Sequence, residues 1–156
     1  MFLILLRHAE AVDSAASDAG RQLTAKGVDQ AARVARYLRR KKLMPDLVVS
    51  SPVTRAKQTA VLVAEAIECP LALEPDLRPG MDPARGIGII GSYPEAATLL
   101  LVGHEPDLSG FVSALLGCPR PEMMRLRKAS ITGIELPRPA LGAGELQFMV
   151  PVRLMG

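Results

Sequence analysis

Residues 1–11, MFLILLRHAEA, hold six apolar residues that run directly into Arg7 and His8. A short, continuous apolar run is typical of a strand that is buried on both faces of a parallel sheet. The residues that follow such a strand lie at its carboxyl end, where open α/β sheets bind their ligands. The stretch therefore predicts a buried strand that delivers a guanidinium and an imidazole to a binding site.

The composition is that of a globular protein. The chain has 156 residues, of which 49% are hydrophobic and 22% charged, and these values predict one domain over residues 1–156. The formal net charge is only +3, and part of it comes from the cations within residues 36–42, which fit the solvated end of a helix. Only one aromatic residue, Tyr37, lies among these cations, which is too few for a surface that stacks on bases, so we expect no nucleic-acid partner.

The cysteines and the first residues bear on the compartment. Cys69 and Cys118 form neither a disulfide framework nor a zinc-binding pattern, which favours a reducing environment. The apolar run at the start is too short for a signal peptide or a membrane span. We therefore expect a cytoplasmic protein that does not associate with membranes.

Strand and helix patterns alternate along the chain. After the strand at 1–6, Thr24 is the expected N-cap of a helix whose inner stripe comprises Val28, Ala31, Ala32, Ala35 and Leu38. DLVVSSP (46–52) predicts a strand, and Ser51 is the expected N-cap of the helix that follows. Further strands are predicted at 71–74 and 98–102, helices near 85–90 and 107–116, and two last strands within 128–136 and 144–152. This order predicts a three-layer α/β/α sandwich with a mainly parallel central sheet.

Chemically active residues follow three of the predicted strands. Arg7 and His8 follow the first, Arg55 lies in the first turn of the helix after the second, and His104 follows the strand at 98–102. His8 and His104 are the only two histidines of the chain. One guanidinium group can bind two phosphate oxygens at once, and the N-terminus of the helix after Pro52 adds free N–H groups. The combination predicts a site for a tetrahedral dianion such as phosphate.

A metal site is the alternative on residue type, since His8, Glu10, His104 and Asp107 are all possible ligands. The neighbouring arginines oppose a divalent cation, and no HxH or HxxxH spacing occurs. We therefore expect no metal and no other cofactor, with Glu10 and Asp107 as solvated or capping carboxylates.

Four segments resemble a known family. LRHAEA (6–11), SSPVTRAKQTA (50–60) and LLLVGHEPDLS (99–109) resemble, in the same order, the three motifs of the histidine phosphatase, or phosphoglycerate mutase-like, superfamily. SDAGRQLTAKG (17–27) is similar to an element of the short SixA-type phosphohistidine phosphatases of that superfamily. The resemblance covers about residues 2–120 and implies a phosphoglycerate mutase-like fold.

The resemblance also implies roles for individual residues. His8 would be the nucleophile that carries a transient phosphoryl group, and Arg7, Arg55 and His104 would bind the phosphoryl oxygens. Arg21 would be a further phosphate contact. His8 must be neutral to attack, so we expect the neighbouring cations to lower its pKa and its other ring nitrogen to donate to a backbone carbonyl.

The proton donor is the point at which this chain departs from the wider family. Larger members carry a carboxylic acid in an inserted loop, whereas EPDLRPGMDPARG (74–86) is short and lacks the usual pattern. Asp18 is the candidate donor, although it fits a turn or capping residue equally well. Asp82 is a weaker candidate.

The expected activity is hydrolysis of phosphohistidine in signalling proteins, such as a histidine-containing phosphotransfer domain, without a metal and through a phosphoryl intermediate on His8. One alternative is a phosphomonoesterase that acts on a small phosphate ester with the same residues. A second alternative is a binding module for a phosphorylated ligand that has no catalytic activity.

Overall fold

A computed structural model describes residues 1–156, which are organised around one six-stranded sheet. The strands are β1 Phe2–Arg7, β2 Leu47–Ser50, β3 Leu71–Leu73, β4 Thr98–Gly103, β5 Ile131–Glu135 and β6 Glu145–Val150. They lie in the order β3-β2-β4-β1-β5-β6. The first four strands in that order are mutually parallel, whereas β5 pairs antiparallel with β1 and with β6. The sheet is thus mainly parallel, as predicted.

Helices cover both faces of the sheet. They are α1 Ala25–Lys41, α2 Thr54–Ile67, α3 Pro83–Gly91 and α4 Asp107–Leu115. Short 3-10 turns occur at Asp18–Gly20, Pro75–Leu77, Pro121–Met124 and Val152–Leu154. The buried residues of α1 and α2 pack on one face of the sheet, and those of α3 and α4 pack on the other. The three-layer α/β/α prediction is confirmed. No helix has both the length and the apolar character needed to cross a membrane.

Strand β1 lies at the centre of the molecule. Its side chains alternate between the two faces: Ile4 and Leu6 pack towards α1 and α2, and Leu3 and Leu5 pack towards α3 and α4. All four are fully buried, and each contributes about 1.5–3 kcal/mol of hydrophobic stabilisation. This burial fixes the position at which the strand ends, and His8 N donates to Gly103 O at the end of β4 at 3.1 Å.

Helix α1 begins as predicted, and Ala31, Ala35 and Leu38 of the expected stripe are buried, whereas Val28 is exposed. Thr24 Oγ1 accepts a hydrogen bond from Gly27 N at 3.0 Å, which confirms the N-cap. Val28 is 45% exposed, so its assignment to the inner stripe was wrong. The buried residues of α1 are Gly27, Gln30, Ala31, Val34, Ala35 and Leu38. The first turns of α1 instead bury Gly27 and Gln30 against Glu10, whose backbone packs closely against Gly27 and whose N–H donates to Gln30 Oε1 at 2.8 Å.

Helix α2 starts later than predicted. Its first residue is Thr54 and its N-cap is Val53, which makes no side-chain capping bond, so the assignment of Ser51 as N-cap was wrong. Ser51 Oγ instead accepts from Val53 N at 3.3 Å and lies 2.9 Å from a ring nitrogen of His104.

Candidate active site

His8 is held in a single tautomer by two hydrogen bonds. Its Nδ1 donates to Ala9 O at 2.8 Å, and because a carbonyl only accepts, Nδ1 carries the proton. Nε2 therefore keeps its lone pair, and Arg55 Nε donates to it at 3.2 Å. The predicted hydrogen bond from a ring nitrogen to a backbone carbonyl is confirmed. The arrangement leaves a nucleophilic nitrogen directed towards the cations of the site.

The environment of His8 keeps its imidazole neutral. The side chain is buried, which lowers its pKa to about 4, and the nearby charges of Arg55, Arg7 and Lys128 act in the same direction. The lowered pKa agrees with the sequence prediction, but burial contributes more than the cations that the prediction invoked. At neutral pH His8 Nε2 is therefore unprotonated, and it can attack an electrophile once the hydrogen bond from Arg55 Nε is released.

Arg55 connects the first turn of α2 to His8, at the end of β1, and to the 17–21 loop. Its Nη1 donates to Asp18 O at 2.9 Å, and its Nη2 lies 3.1 Å from Asp18 Oδ2. Thr59 on the next turn ties α2 to β1: its Oγ1 donates to Arg55 O at 2.7 Å and accepts from Ala9 N at 3.0 Å. These bonds fix the guanidinium relative to His8.

His104 faces His8 across the site. The centroids of the two rings are 5.3 Å apart, and the ring planes are inclined by 55°. His104 Nε2 lies 2.9 Å from Ser51 Oγ, so β2 and β4 jointly orient the ring. Burial lowers the pKa of His104 to about 3, with His8 and Arg55 adding to the effect. His104 is thus also neutral at physiological pH.

Three buried nitrogens of this region make no hydrogen bond within the protein. They belong to site residues predicted from the sequence: Arg7 Nε, Arg21 Nε and His104 Nδ1. Arg7 Nη1 donates to Leu126 O at 2.9 Å, and Arg21 Nη1 pairs with Asp18 Oδ1 at 3.1 Å. Buried polar groups are almost always paired, so this cluster fits an anion that supplies the missing acceptors.

Asp18 lies at the site, but its electrostatics oppose the predicted donor role. Arg55 is the main cause of a lowered pKa for its carboxyl group, and Arg21 adds to it. An ionised carboxylate has no proton to give at neutral pH. Asp18 therefore acts in this structure as an exposed counter-ion of the two arginines.

The other carboxylates considered from the sequence have structural partners. Asp82 caps α3, because its Oδ1 accepts from Arg85 N at 2.9 Å. Glu10 Oε2 pairs with Lys26 at 2.9 Å, and Asp107 accepts from the backbone of residues 80 and 81. No group of three or more His, Cys, Asp or Glu side chains is arranged to hold a metal ion.

The segment 125–130, which was not predicted as part of the site, forms one wall of it. Ala129 N donates to both Arg7 O at 3.1 Å and His8 O at 3.3 Å, from a buried residue with φ of 55°. The carbonyl of Leu126 accepts from Arg7, as described above. These contacts come from backbone atoms, so the only sign in the sequence is the basic stretch RLRK before two small residues.

Comparisons with known proteins identify the family of this chain. A sequence profile described as histidine phosphatase superfamily (branch 1) matches residues 3–79. The phosphohistidine phosphatase SixA of Escherichia coli (strain K12) is 33% identical over 125 residues, which cover 76% of this chain and 75% of that protein. The chain belongs to the histidine phosphatase superfamily. It is accordingly a phosphatase, a hydrolase that acts on phosphorylated substrates.

Solved structures of histidine phosphatases share the whole fold. The protein histidine phosphatase SixA complexed with tungstate superimposes with a TM-score of 0.89 at 26% identity, over 100% of both chains. The α-ribazole phosphatase of Shigella flexneri superimposes with a TM-score of 0.77 at 23% identity, over 97% of each chain. The phosphoglycerate mutase-like α/β fold predicted from the sequence is confirmed.

Proposed function

We propose that this phosphatase removes the phosphoryl group from phosphohistidine side chains of proteins, without a metal ion, and that His8 Nε2 is the nucleophile. The observation that carries the proposal is the locked tautomer of His8, which leaves Nε2 unprotonated beside Arg55. The similarity to a phosphatase named for phosphohistidine supports the substrate class.

The reaction proceeds in two displacements. The lone pair of His8 Nε2 attacks phosphorus in line, a new N–P bond forms, and the bond between phosphorus and the substrate nitrogen breaks. The substrate imidazole leaves with a proton taken from solvent. Water then attacks the phosphoryl group on His8, the N–P bond to the enzyme breaks, and inorganic phosphate and free His8 result. The covalent intermediate replaces one difficult step by two easier ones.

The cations stabilise the charge on the transferred group. Arg7, Arg55 and Arg21 supply guanidinium donors, and His104 adds an N–H at Nδ1 when the Ser51 hydroxyl donates to its Nε2. Donors that are fixed before the substrate arrives stabilise the transition state without reorganisation. The bonds of Arg7 to Leu126 and of Arg55 to Asp18 provide this fixation.

The leaving group explains why no placed acid is needed. A phosphohistidine nitrogen leaves readily once its ring is protonated, whereas an alkyl oxygen requires a nearby proton donor. Asp18 is ionised beside Arg55, and Asp82 caps α3. This pairing of a strong nucleophile with no positioned acid favours phosphoramidates over alkyl phosphate esters.

The test is turnover and trapping in the presence of EDTA. A phosphorylated histidine-containing phosphotransfer domain, p-nitrophenyl phosphate and a sugar phosphate are compared as substrates of the wild-type enzyme. We expect the highest kcat/KM for the phosphorylated domain and phosphorus on His8 in peptides isolated at alkaline pH. Efficient release from the sugar phosphate alone would instead support a small-molecule phosphatase.

His8→Ala and His104→Asn separate the two histidines in this assay. We expect His8→Ala to lose at least about 1,000-fold in turnover and to carry no phosphoryl group. His104→Asn should be slower than the wild type but still label at His8. Phosphorus on any other side chain, or loss of all activity in EDTA, would contradict the proposed mechanism.

A further inference from the structure

A cationic cavity adjoins the proposed catalytic site. It has a volume of about 430 Å³, and its cationic lining residues are Arg7, Arg125, Arg127, Lys128 and Arg153. Its single carboxylate, Glu10, is already paired with Lys26. Apart from Arg7, these cations form no ion pair and no side-chain hydrogen bond within the chain, so their charge is uncompensated.

The cavity shares a wall with the site of phosphoryl transfer. Arg7 belongs to both, and Lys128 lies close enough to His8 to act on its charge. The backbone of residues 126–129 joins the two, through the bond from Arg7 to Leu126 and the bonds from Ala129 to the end of β1. A molecule bound in the cavity would therefore lie beside the phosphorylated group.

We infer that this cavity is a docking site for acidic side chains that surround the phosphorylated residue of a protein substrate. The inference rests on the proposed function and specifies which phosphoproteins it concerns. Four unpaired cations on one open surface attract carboxylates, which raises the rate of encounter and fixes the orientation of the partner.

The lining argues against the other anionic ligands. Only one of its nine residues is hydrophobic, whereas pockets for small molecules are mostly apolar and enclose most of the ligand. None is aromatic, so the cavity offers no stacking platform for the bases of a nucleic acid. An acidic protein surface needs neither feature, because open guanidinium groups pair with carboxylates directly.

Charge reversal at the outer edge of the cavity tests the inference. Arg127→Glu/Arg153→Glu changes two exposed side chains that form no hydrogen bond and no ion pair. Arg36→Glu/Arg138→Glu is the matched control, since both residues are exposed and unpaired, and Arg138 follows β5 at the opposite end of the sheet. The two double variants alter the net charge by the same amount.

The first measurement compares two phosphohistidine peptides, one flanked by aspartates and one by serines. For the wild type and the control variant we expect kcat/KM to be at least about tenfold higher for the acidic peptide at low salt. In Arg127→Glu/Arg153→Glu this preference should disappear, and high salt should weaken it in the wild type. An equal preference in all three proteins would overturn the inference while leaving the proposed function intact.

The second measurement needs no phosphohistidine turnover. An unphosphorylated aspartate-rich peptide should inhibit hydrolysis of p-nitrophenyl phosphate by the wild type and the control, with an inhibition constant about tenfold weaker in Arg127→Glu/Arg153→Glu. Such inhibition without any hydrolysis of phosphohistidine peptides would contradict the proposed function and retain the docking site. Equal inhibition of the wild type by a single-stranded oligonucleotide would overturn the assignment to a protein partner.

Discussion

The proposed mechanism requires His8 to remain neutral among cations, and the structure meets this requirement by combining burial with positive charge. Both effects lower its pKa, and the bond from Nδ1 to Ala9 O then decides which nitrogen keeps the lone pair. The cations that suppress protonation of His8 are the ones that we propose bind the phosphoryl group. In the proposed mechanism, one set of charges thus serves nucleophile activation and anion binding.

At Arg55 the planar shape of the guanidinium group is needed as well as its charge. Its Nε contacts His8 while its Nη atoms reach Asp18, which requires a planar fork. We expect Arg55→Lys to lower kcat/KM for p-nitrophenyl phosphate at least about 100-fold, because an ammonium group cannot make these contacts together. Lys57→Arg, an exchange of the same two residue types at an exposed position of α2, is the control and should behave as the wild type. Activity of Arg55→Lys within a few-fold of the wild type would show that charge alone suffices.

Asp18→Asn distinguishes a counter-ion from a proton donor. Removing the carboxylate beside Arg55 and Arg21 favours binding of another anion, so we expect inorganic phosphate to inhibit the variant roughly fivefold more tightly. Hydrolysis of phosphohistidine should persist. A large loss of kcat with unchanged phosphate inhibition would restore Asp18 as the acid.

At the scale of elements, the site depends on how closely α1 approaches the residues that follow β1. Gly27 is the contact point, since a Cβ atom at this position would lie 2.0 Å from Glu10 O. Glu10 also receives the Thr24 hydroxyl and donates its N–H to Gln30. The 9–11 segment is thus held against α1 on one side and against Thr59 on the other.

We expect Gly27→Ala to destabilise the protein by at least about 2 kcal/mol, because the added Cβ would overlap the backbone of Glu10, which is held by hydrogen bonds to Thr24 and Gln30. Gly88→Ala is the matched control: it lies within α3, and a Cβ there would meet nothing within 4 Å. The control should gain about 0.5–1 kcal/mol, since alanine restricts the unfolded chain. Urea denaturation of both variants measures these free energies, and equal stability of the two would refute the close-packing argument.

The strands and helices could be predicted from the sequence more accurately than the contacts between them. Apolar runs and helical spacing located every strand and helix of the sheet layers, and the strand ends located His8, Arg55 and His104. Spacing alone did not reveal that the first turns of α1 bury Gly27 and Gln30 against Glu10, and so Val28 was misassigned. The 125–130 wall could not be predicted, because it contacts the site through backbone groups, which no side-chain pattern encodes.

At the scale of the whole molecule, the strand order brings distant segments together. Strands β2, β4 and β1 are neighbours and parallel, so residues near positions 8, 51 and 104 meet at one edge of the sheet. Strand β5 runs in the opposite direction, and the chain that leads into it therefore passes over the same edge and supplies the 125–130 wall. The topology thus explains why the catalytic site and the cationic cavity are contiguous.

Burying both histidines of the chain at this edge makes the stability of the whole fold depend on pH. Their folded pKa values, about 4 for His8 and about 3 for His104, lie below the ordinary value of 6.5, so the unfolded state binds protons first as pH falls. Stability is therefore full above pH 6.5 and declines towards pH 4, by up to about 1.4 kcal/mol per pH unit for each histidine. Urea unfolding at pH 7, 6 and 5 should show this decline.

Between pH 6.5 and 5, the change in the free energy of unfolding reports on the histidines and not on the carboxylates. The lowered pKa values of Glu10, Asp18 and Glu122 reduce stability only once the pH drops below their ordinary values of 4.5, 3.8 and 4.5. His8→Asn should therefore retain only the His104 contribution and show about half the wild-type slope in this window. A free energy of unfolding that is independent of pH from 7 to 5 in the wild type would mean that neither imidazole is held neutral by burial, and the account of His8 as a free nucleophile would fail with it.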